Sequence, residues 1–600
     1  MYRHMKDRPM TSVKRDCTER HFISHDRQEI FFRYWPALSE KPEGAIILLH
    51  RGHEHSGRVA HIVEEIGLDN YSFYAWDARG HGLTQGQRGY SPSFATTVRD
   101  LDCFARHITE TDGFALQDMA LIAQSVGAVI GATWVHDYAP PIRAMVLAAP
   151  AFDVKLYVPL AKEGIWLWQK LKGTFFVNSY VKARFLTHDK ERIASFENDQ
   201  LITRPIASNI LLELYENAER IVRDARAITT PTQVLISGRD WVVRDAPQHR
   251  FYENLAGPIK ERHVLKGFYH DTLGERDRAL AFAKIRPFIE QQFAKAPQQS
   301  SLLDAHIQGF TRDEADRLST PLAITSPRGA YWGMTRASIR IGGLFSEGLK
   351  TGIRTGFDSG STLDYVYRNE VKGLGWGGRY TDKTFLNAIG WRGIRQRKTH
   401  LEELIRQAVT RLQDDGKPAR ILDIAAGHGR YVLDALTTKD DEIASVRLQD
   451  YSPINVLAGR QLIAERNLSG KAEFHEGDAF DTKALAALGA DAETAPNLAI
   501  VSGLYELFAD NDQIAQSLEG LAQAVQSGGY LIYTNQPWHP QLEMIARALT
   551  SHRGGQAWVM RRRTQNEMDQ LVEAAGFRKI EQRIDQWGIF TVSLAQRIEK

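Results

Sequence analysis

Ser125, Asp240 and His270 are the residues whose types and order could carry out acyl transfer. Ser125 stands in Ala123-Gln124-Ser125-Val126-Gly127, directly after the short apolar run 119–123. A strand that turns sharply into a helix leaves a serine oxygen exposed above a sheet, and small residues at 123 and 127 let the backbone make that turn. Asp240 follows Leu235-Ile236-Ser237-Gly238-Arg239 and His270 ends Gly267-Phe268-Tyr269-His270, so each lies beside an expected strand end. A serine hydroxyl is a weak nucleophile at its free pKa. A histidine has to take its proton as it attacks a carbonyl, while an acid holds the imidazole in the required tautomer. A second group has a different chemistry. Arg420-Ile421-Leu422-Asp423-Ile424-Ala425-Ala426-Gly427-His428-Gly429-Arg430 reads as a strand, a glycine loop and a helix start, with the helix over 431–436. Glycines there allow close approach of a ligand, and the helix start offers N–H donors. Asp450 ends the next strand, 446–450, where a carboxylate can bind ribose hydroxyls, and Asp478 follows a third strand.

The loops ahead of the serine extend the first pattern. His50-Arg51-Gly52-His53-Glu54-His55-Ser56-Gly57-Arg58 and Asp77-Ala78-Arg79-Gly80-His81-Gly82 resemble two loops of the monoglyceride-lipase-type α/β-hydrolases, a serine hydrolase group that includes lysophospholipases. The order serine, acid, histidine is also that fold's order. The resemblance covers residues 20–295. It implies a catalytic triad of Ser125, Asp240 and His270, with an oxyanion hole from the backbone N–H groups of Gly52 and Val126. Three features depart from the family's pattern. Arg51 and His53 stand where glycines are usual, and the elbow reads Ala-Gln-Ser-Val-Gly in place of Gly-His-Ser-Met-Gly. The insertion 152–227 holds Leu156, Val158, Leu160, Ile165, Trp166, Leu167, Trp168, Phe175 and Phe176, interrupted by Lys155, Lys162, Lys170 and Lys172. It is expected to form a helical cap, with most of those side chains in the cap's own core. Such a ceiling suits an acyl chain better than a peptide, so a lipid-like ester, a monoacylglycerol or lysophospholipid, is the expected substrate. His50, His53, His55 and His81 complete no recognisable ligand spacing with Glu54, and no metal is expected there.

The series Asp423, Asp450, Asp478 around Ala425, Gly427 and Gly429 resembles the class I S-adenosylmethionine-dependent methyltransferases, which implies a Rossmann-like fold. In that family the first acid helps hold the amino-acid part, the second the ribose, and the third lies by the adenine. A dinucleotide site would want a further glycine near Val432, and Ala425 replaces the methyltransferases' usual first glycine. S-Adenosylmethionine is therefore the expected cofactor. Strands at 498–502 and 529–533 should place Tyr505, Glu506, Asn535, Gln536, Trp538 and His539 beyond their carboxyl ends, facing the methyl acceptor. Methyl transfer mainly requires alignment, so no general base need exist, and the acceptor itself stays open. As a whole the chain resembles bacterial fusions of an α/β-hydrolase with a class I methyltransferase. The rival class is a lipid-associated scaffold or regulatory protein with one domain catalytically silent.

Six hundred residues exceed one ordinary core. The expected organisation is hydrolase 20–295, a Pro/Gln/Ser linker 296–301, a helical Gly-rich extension 302–400 and the methyltransferase domain 401–600. A formal net charge of +2 gives no bulk case for nucleic-acid binding. With only Cys17 and Cys103, a disulfide framework and a cysteine-held cluster are excluded. The start, residues 1–8, lacks the apolar core of a signal peptide, and no run reaches the length of a membrane span, so a cytoplasmic protein is expected. Two stretches invite other readings. Residues 331–357 combine Ile339, Ile341, Leu344, Phe345, Leu349 and Ile353 with Arg336, Arg340, Lys350 and Arg354, and with glycines at 348, 352 and 356. They read as a basic amphipathic helix that covers the methyltransferase core or lies on an anionic membrane surface. Arg561-Arg562-Arg563 reads as a solvated face.

Overall fold

A computed structural model of the chain describes residues 14–179, 181–297, 299–436 and 443–598. The N-terminal residues 1–8 and Gln298 of the linker lie outside the described residues. The chain divides into two compact units, 1–300 and 301–600.

The first unit is built on an eight-stranded sheet. Its strands are β1 (Thr18–Ile23), β2 (Glu29–Trp35), β3 (Gly44–Leu49), β4 (Tyr71–Trp76), β5 (Met119–Gln124), β6 (Ala144–Ala148), β9 (Thr232–Ser237) and β10 (Lys260–Leu265). They lie in the order β1-β2-β4-β3-β5-β6-β9-β10, antiparallel at β1, β2 and β4 and parallel from there on. Every residue of β3, β5, β6 and β9 is buried. That explains why these strands read as continuous apolar runs, since helices cover both faces of a parallel sheet. The serine, the acid and the histidine follow the carboxyl ends of β5, β9 and β10, which places all three at one edge of the sheet.

Between β6 and β9 the chain forms the cap, with helices Ala161–Lys172, Lys190–Asn198 and Ser208–Arg223 and a two-stranded ribbon of β7 (Phe176–Asn178) and β8 (Pro205–Ala207). The expected apolar cap core is not where the sequence suggested. Helix Ala161–Lys172 has no buried residue, and Leu160, Trp166, Leu167 and Trp168 are more than half exposed. The helix packs against Ser208–Arg223, with Lys162 over the Tyr215 ring. Lys170 and Lys172 fold back over Trp166 and Trp168. The cap's core is instead Ala183, Leu186 and Phe196.

The second unit holds seven strands: β11 (Ala419–Asp423), β12 (Ile443–Asp450), β13 (Ala472–Glu476), β14 (Leu498–Val501), β15 (Tyr530–Asn535), β16 (Phe577–Ile584) and β17 (Thr591–Arg597). Their order is β13-β12-β11-β14-β15-β17-β16, parallel except for β17, which runs antiparallel to both neighbours. The strand order reverses between β11 and β14, and a doubly wound sheet opens a ligand crevice at such a switch point. Ahead of this sheet, helices Pro327–Gly342, Glu347–Thr355, Gly360–Arg368, Gly375–Leu386 and Ile389–Asp414 fill the 302–400 extension and run into the domain.

Two expectations need correction here. Residues 331–357 are two helices parted at 343–346, not one. Their glycines serve packing: a Cβ at Gly348 or Gly352 would come within 2.5 Å of the Phe385 or Phe357 ring. Gly356 lies past the helix, at a φ of 94°. The Arg561–Arg563 run is not solvated either, because all three side chains are buried. Arg561 pairs with Glu567 at 2.7 Å and donates to Asn511 Oδ1, Arg562 pairs with Glu314, and Arg563 donates to the carbonyls of Tyr505 and Phe508. Removing one partner of a buried ion pair typically costs about 3–5 kcal/mol, so this run is a structural cross-brace. Among the described residues, no helix is long and apolar enough to cross a membrane.

Candidate active sites

Ser125 is the last residue before helix Val126–Tyr138, at φ 57° and ψ −116°, a strained backbone that presents its side chain above the sheet. Gly127 is required by that turn, for a Cβ there would meet the His50 carbonyl at 2.5 Å. Ser125 Oγ lies 2.7 Å from His270 Nε2, and His270 Nδ1 lies 2.8 Å from Asp240 Oδ2. The other Asp240 oxygen accepts N–H bonds from Val242 and Val243. Burial would push the Asp240 carboxyl up, but the adjoining imidazole and these hydrogen bonds hold it below its usual value. The three residues therefore form a hydrogen-bonded chain in which a carboxylate faces the imidazole and the imidazole faces the hydroxyl. Gly52 lies against Val126, since a Cβ there would come 3.0 Å from Val126 Cγ2.

The departures from the lipase pattern have partners of their own. Arg51 turns into a buried ion cluster, 2.6 Å from Glu54 and 3.5 Å from Asp271, which Arg192 also holds. Gln124 of the elbow donates to Asp271 and to the His270 carbonyl. Together they brace the loop that carries His270. His53 takes φ 73°, and its ring bonds the Thr203 carbonyl, while His55 pairs with Asp199 of the cap. His50 Nε2 accepts from Ala78 N, so its Nδ1–H donates to the Arg51 carbonyl. His81 bonds the Arg79 carbonyl. All four histidines have protein partners.

In the second unit, two cavities adjoin at the carboxyl ends of β11 and β14. One, of about 830 Å³, is lined by Ala425, Gly427, Asp450 and Asp478, together with Tyr451, Phe480 and Ser502. Gly427 holds φ 59°, and a Cβ there would touch the Gly360 backbone at 3.6 Å. Asp450 Oδ2 accepts from Gly427 N, fixing the glycine loop, and its Oδ1 accepts from Ser452 N and Asn455. The buried Ser502 hydroxyl and His428 Nε2 face this cavity without partners. Acids at successive strand ends, an exposed aromatic at Tyr451 and orphaned polar atoms fit a nucleoside joined to a charged amino-acid tail. Two of the expected cofactor residues are set apart from the cavity. Asp423 is fully buried and bonds Ala425 N and the Tyr431 hydroxyl, and burial pushes its carboxyl up to about 7. Gly429 faces Leu448, which a Cβ would strike at 2.5 Å, so it serves helix packing.

The other cavity, of about 450 Å³, is apolar and aromatic, walled by Phe357, Phe385, Trp391, Trp558 and Phe590. It shares Asp358, Leu363, Arg397, Gly503 and Leu507 with the first. Of the expected acceptor residues, Glu506, Gln536 and His539 line it. Tyr505 does not, because it is buried in the core with its hydroxyl on Ser517. Asn535 bonds the Arg563 and Thr564 carbonyls, and Trp538 packs beside the aromatic cluster. The sequence reading missed Arg397, Asp358 and Asp364, which reach these cavities from the 302–400 extension. Their only signal was the helical patterning of that stretch.

Comparison with known proteins agrees with this division. Residues 285–597 match the family described as "Putative methyltransferase", and residues 40–277 match the family described as "Serine aminopeptidase, S33". An uncharacterized protein of Escherichia coli (strain K12), YnbC, is 55% identical, over 96% of this chain and 98% of its own length. The monoacylglycerol lipase of Mycolicibacterium smegmatis is 24% identical, over 45% of this chain and 96% of its own. A crystal structure of a Paleococcus ferrophilus monoacylglycerol lipase matches at TM-score 0.40 and 20% identity, over 44% of this chain and 98% of that one.

Proposed function

The chain belongs to that methyltransferase family and carries an α/β-hydrolase domain related to monoglyceride lipases, and from this premise we propose a bifunctional enzyme. Its first site is a serine hydrolase for the carboxylic ester of a lipid-like substrate such as a monoacylglycerol or lysophospholipid. Its second is an S-adenosylmethionine-dependent methyltransferase. The observation that carries the hydrolase reading is the continuous Ser125–His270–Asp240 hydrogen-bond chain at the end of a strained elbow. Ser125 attacks the ester carbonyl while His270 Nε2 takes its proton and later returns it to the leaving alcohol. Asp240 holds the ring and stabilises its charged form, and the N–H groups of Gly52 and Val126 receive the oxyanion. Hydrolysis of p-nitrophenyl esters of graded chain length tests the substrate class. kcat/KM should rise from acetate to a medium-chain ester, and a maximum at acetate with no gain from longer chains would contradict it.

In the second site, Ala425, Gly427, Asp450 and Asp478 would hold S-adenosylmethionine, with Asp450 on the ribose hydroxyls and Asp478 beside the adenine. When bound, that cofactor supplies an electrophilic methyl group. The chain's own residues align the acceptor and exclude water from the shared wall of the two cavities.

We also propose that residues 331–357 contact an anionic lipid surface. Tyr331, Met334, Ile341, Leu344 and Phe345 are at least half exposed beside Arg336, Arg340, Lys350 and Arg354. Each basic side chain near such a surface contributes roughly 1 kcal/mol. Changing these four to Glu should lower sedimentation with anionic vesicles at least ~10-fold. Lack of vesicle binding by the unaltered protein would reject the idea.

A further inference from the structure

Among the polar groups that line the apolar cavity, donors and acceptors are unequally satisfied. Glu506 is 7% exposed. Its Oε1 accepts from the Thr534 hydroxyl at 3.3 Å and faces Arg397 Nη1 at 3.6 Å, while its Oε2 is buried without a partner. The Gln536 amide nitrogen, also lining the cavity, has no partner either. His539 Nδ1 accepts from Gln541 N, so the ring's hydrogen sits on Nε2. Burial pushes this histidine down to about 3, which keeps it neutral, and raises the Glu506 carboxyl above its usual value. The lining therefore offers one free carboxylate oxygen, the N–H donors of Gln536 and His539, and the unpartnered Arg397 Nε and Trp558 Nε1.

That set fits a hydroxyl group. Its O–H can donate to Glu506 Oε2 while one lone pair accepts from Gln536 or His539, which leaves the other lone pair for the methyl group. An ammonium group has no lone pair for these donors, and a carboxylate would meet Glu506 with like charge. Gly503 and Arg397 line both cavities, and Arg397 Nη1 is 3.6 Å from Glu506, which puts Glu506 beside the place assigned to the cofactor. Resting on the methyltransferase reading above, we infer that the methyl acceptor is an apolar compound bearing an alcoholic or phenolic hydroxyl, and that Glu506 is its general base. The acceptor O–CH₃ bond forms as the sulfur–CH₃ bond of S-adenosylmethionine breaks. The sulfonium becomes a neutral thioether, and the hydroxyl proton passes to Glu506 Oε2 and then to water.

Calorimetry with 4-hexylphenol and its O-methyl ether, 4-hexylanisole, tests this on the intact protein. The phenol should bind at least ~10-fold more tightly, as a hydrogen bond to a charged group warrants. Glu506→Gln should erase that preference and leave S-adenosylmethionine affinity unchanged. With both ligands present, one anisole should form per cofactor consumed. Leu349→Trp, which fills the apolar wall, should lose both probes and keep the cofactor. Equal binding of phenol and anisole, a preference that survives Glu506→Gln, or unaltered probe binding by Leu349→Trp would overturn the inference. Cofactor binding without phenol preference defeats this inference alone, whereas no cofactor binding by the unaltered protein defeats the methyltransferase reading and the transfer step with it.

Discussion

Ser125→Ala is expected to lower kcat for ester hydrolysis on the order of 10⁴–10⁶-fold, the range seen when a hydrolase loses its nucleophile. The alanine keeps Cβ at the elbow but removes the oxygen 2.7 Å from His270 Nε2. Among the described residues, no other hydroxyl stands on that imidazole. KM should change little, because the oxygen contributes to the transition state and not to holding the acyl chain. The loss should leave S-adenosylmethionine binding intact, since the two sites belong to separate units. p-Nitrophenyl ester kinetics on both proteins checks this. Equal rates would remove Ser125 from the mechanism.

The second large effect is expected from Asp450→Ala. Asp450 is asked to bind the ribose and already fixes the loop through Gly427 N, with Ser452 N and Asn455 on its other oxygen. Hydrogen bonds to a charged group contribute about 1.5–3 kcal/mol each, so S-adenosylmethionine affinity should fall about 10–100-fold by calorimetry. Asp450→Asn, which keeps an acceptor oxygen, should lose less. Ester hydrolysis should be unchanged in both. Unaltered affinity in Asp450→Ala would move the cofactor elsewhere, and tight NAD binding without S-adenosylmethionine binding would reassign the domain.

The sheets were legible because buried parallel strands are short apolar runs that end in glycine, serine or aspartate. That pattern places Ser125, Asp240 and His270, and also Gly427 and Asp450, at strand ends in the sequence itself. What escaped depends on partners distant in sequence. Nothing in Arg561–Arg563 itself says that Glu314, Asn511 and Glu567 will enclose it. Tyr505 and Glu506 share one helical turn after β14, and Asn535 and Gln536 stand at the end of β15, yet Tyr505 and Asn535 turn into the core while Glu506 and Gln536 line the cavity. The cap's Trp166 and Trp168 look like core by composition. They lie on a helix that buries none of its residues. Likewise, no motif marks Arg397, because its role comes from the helix that carries it past Gly503 and Glu506.

The central claim is that one chain carries two working sites, and one sequential measurement tests it. The protein is labelled to completion with a fluorophosphonate, which needs an activated serine, and the labelled protein is then titrated with S-adenosylmethionine. The account predicts one label per chain, mapped to Ser125, and one cofactor bound per labelled chain with the affinity of the unlabelled protein. Failure to label Ser125, or a labelled and unlabelled protein that both bind no S-adenosylmethionine, would contradict it and favour a scaffold with at least one silent domain.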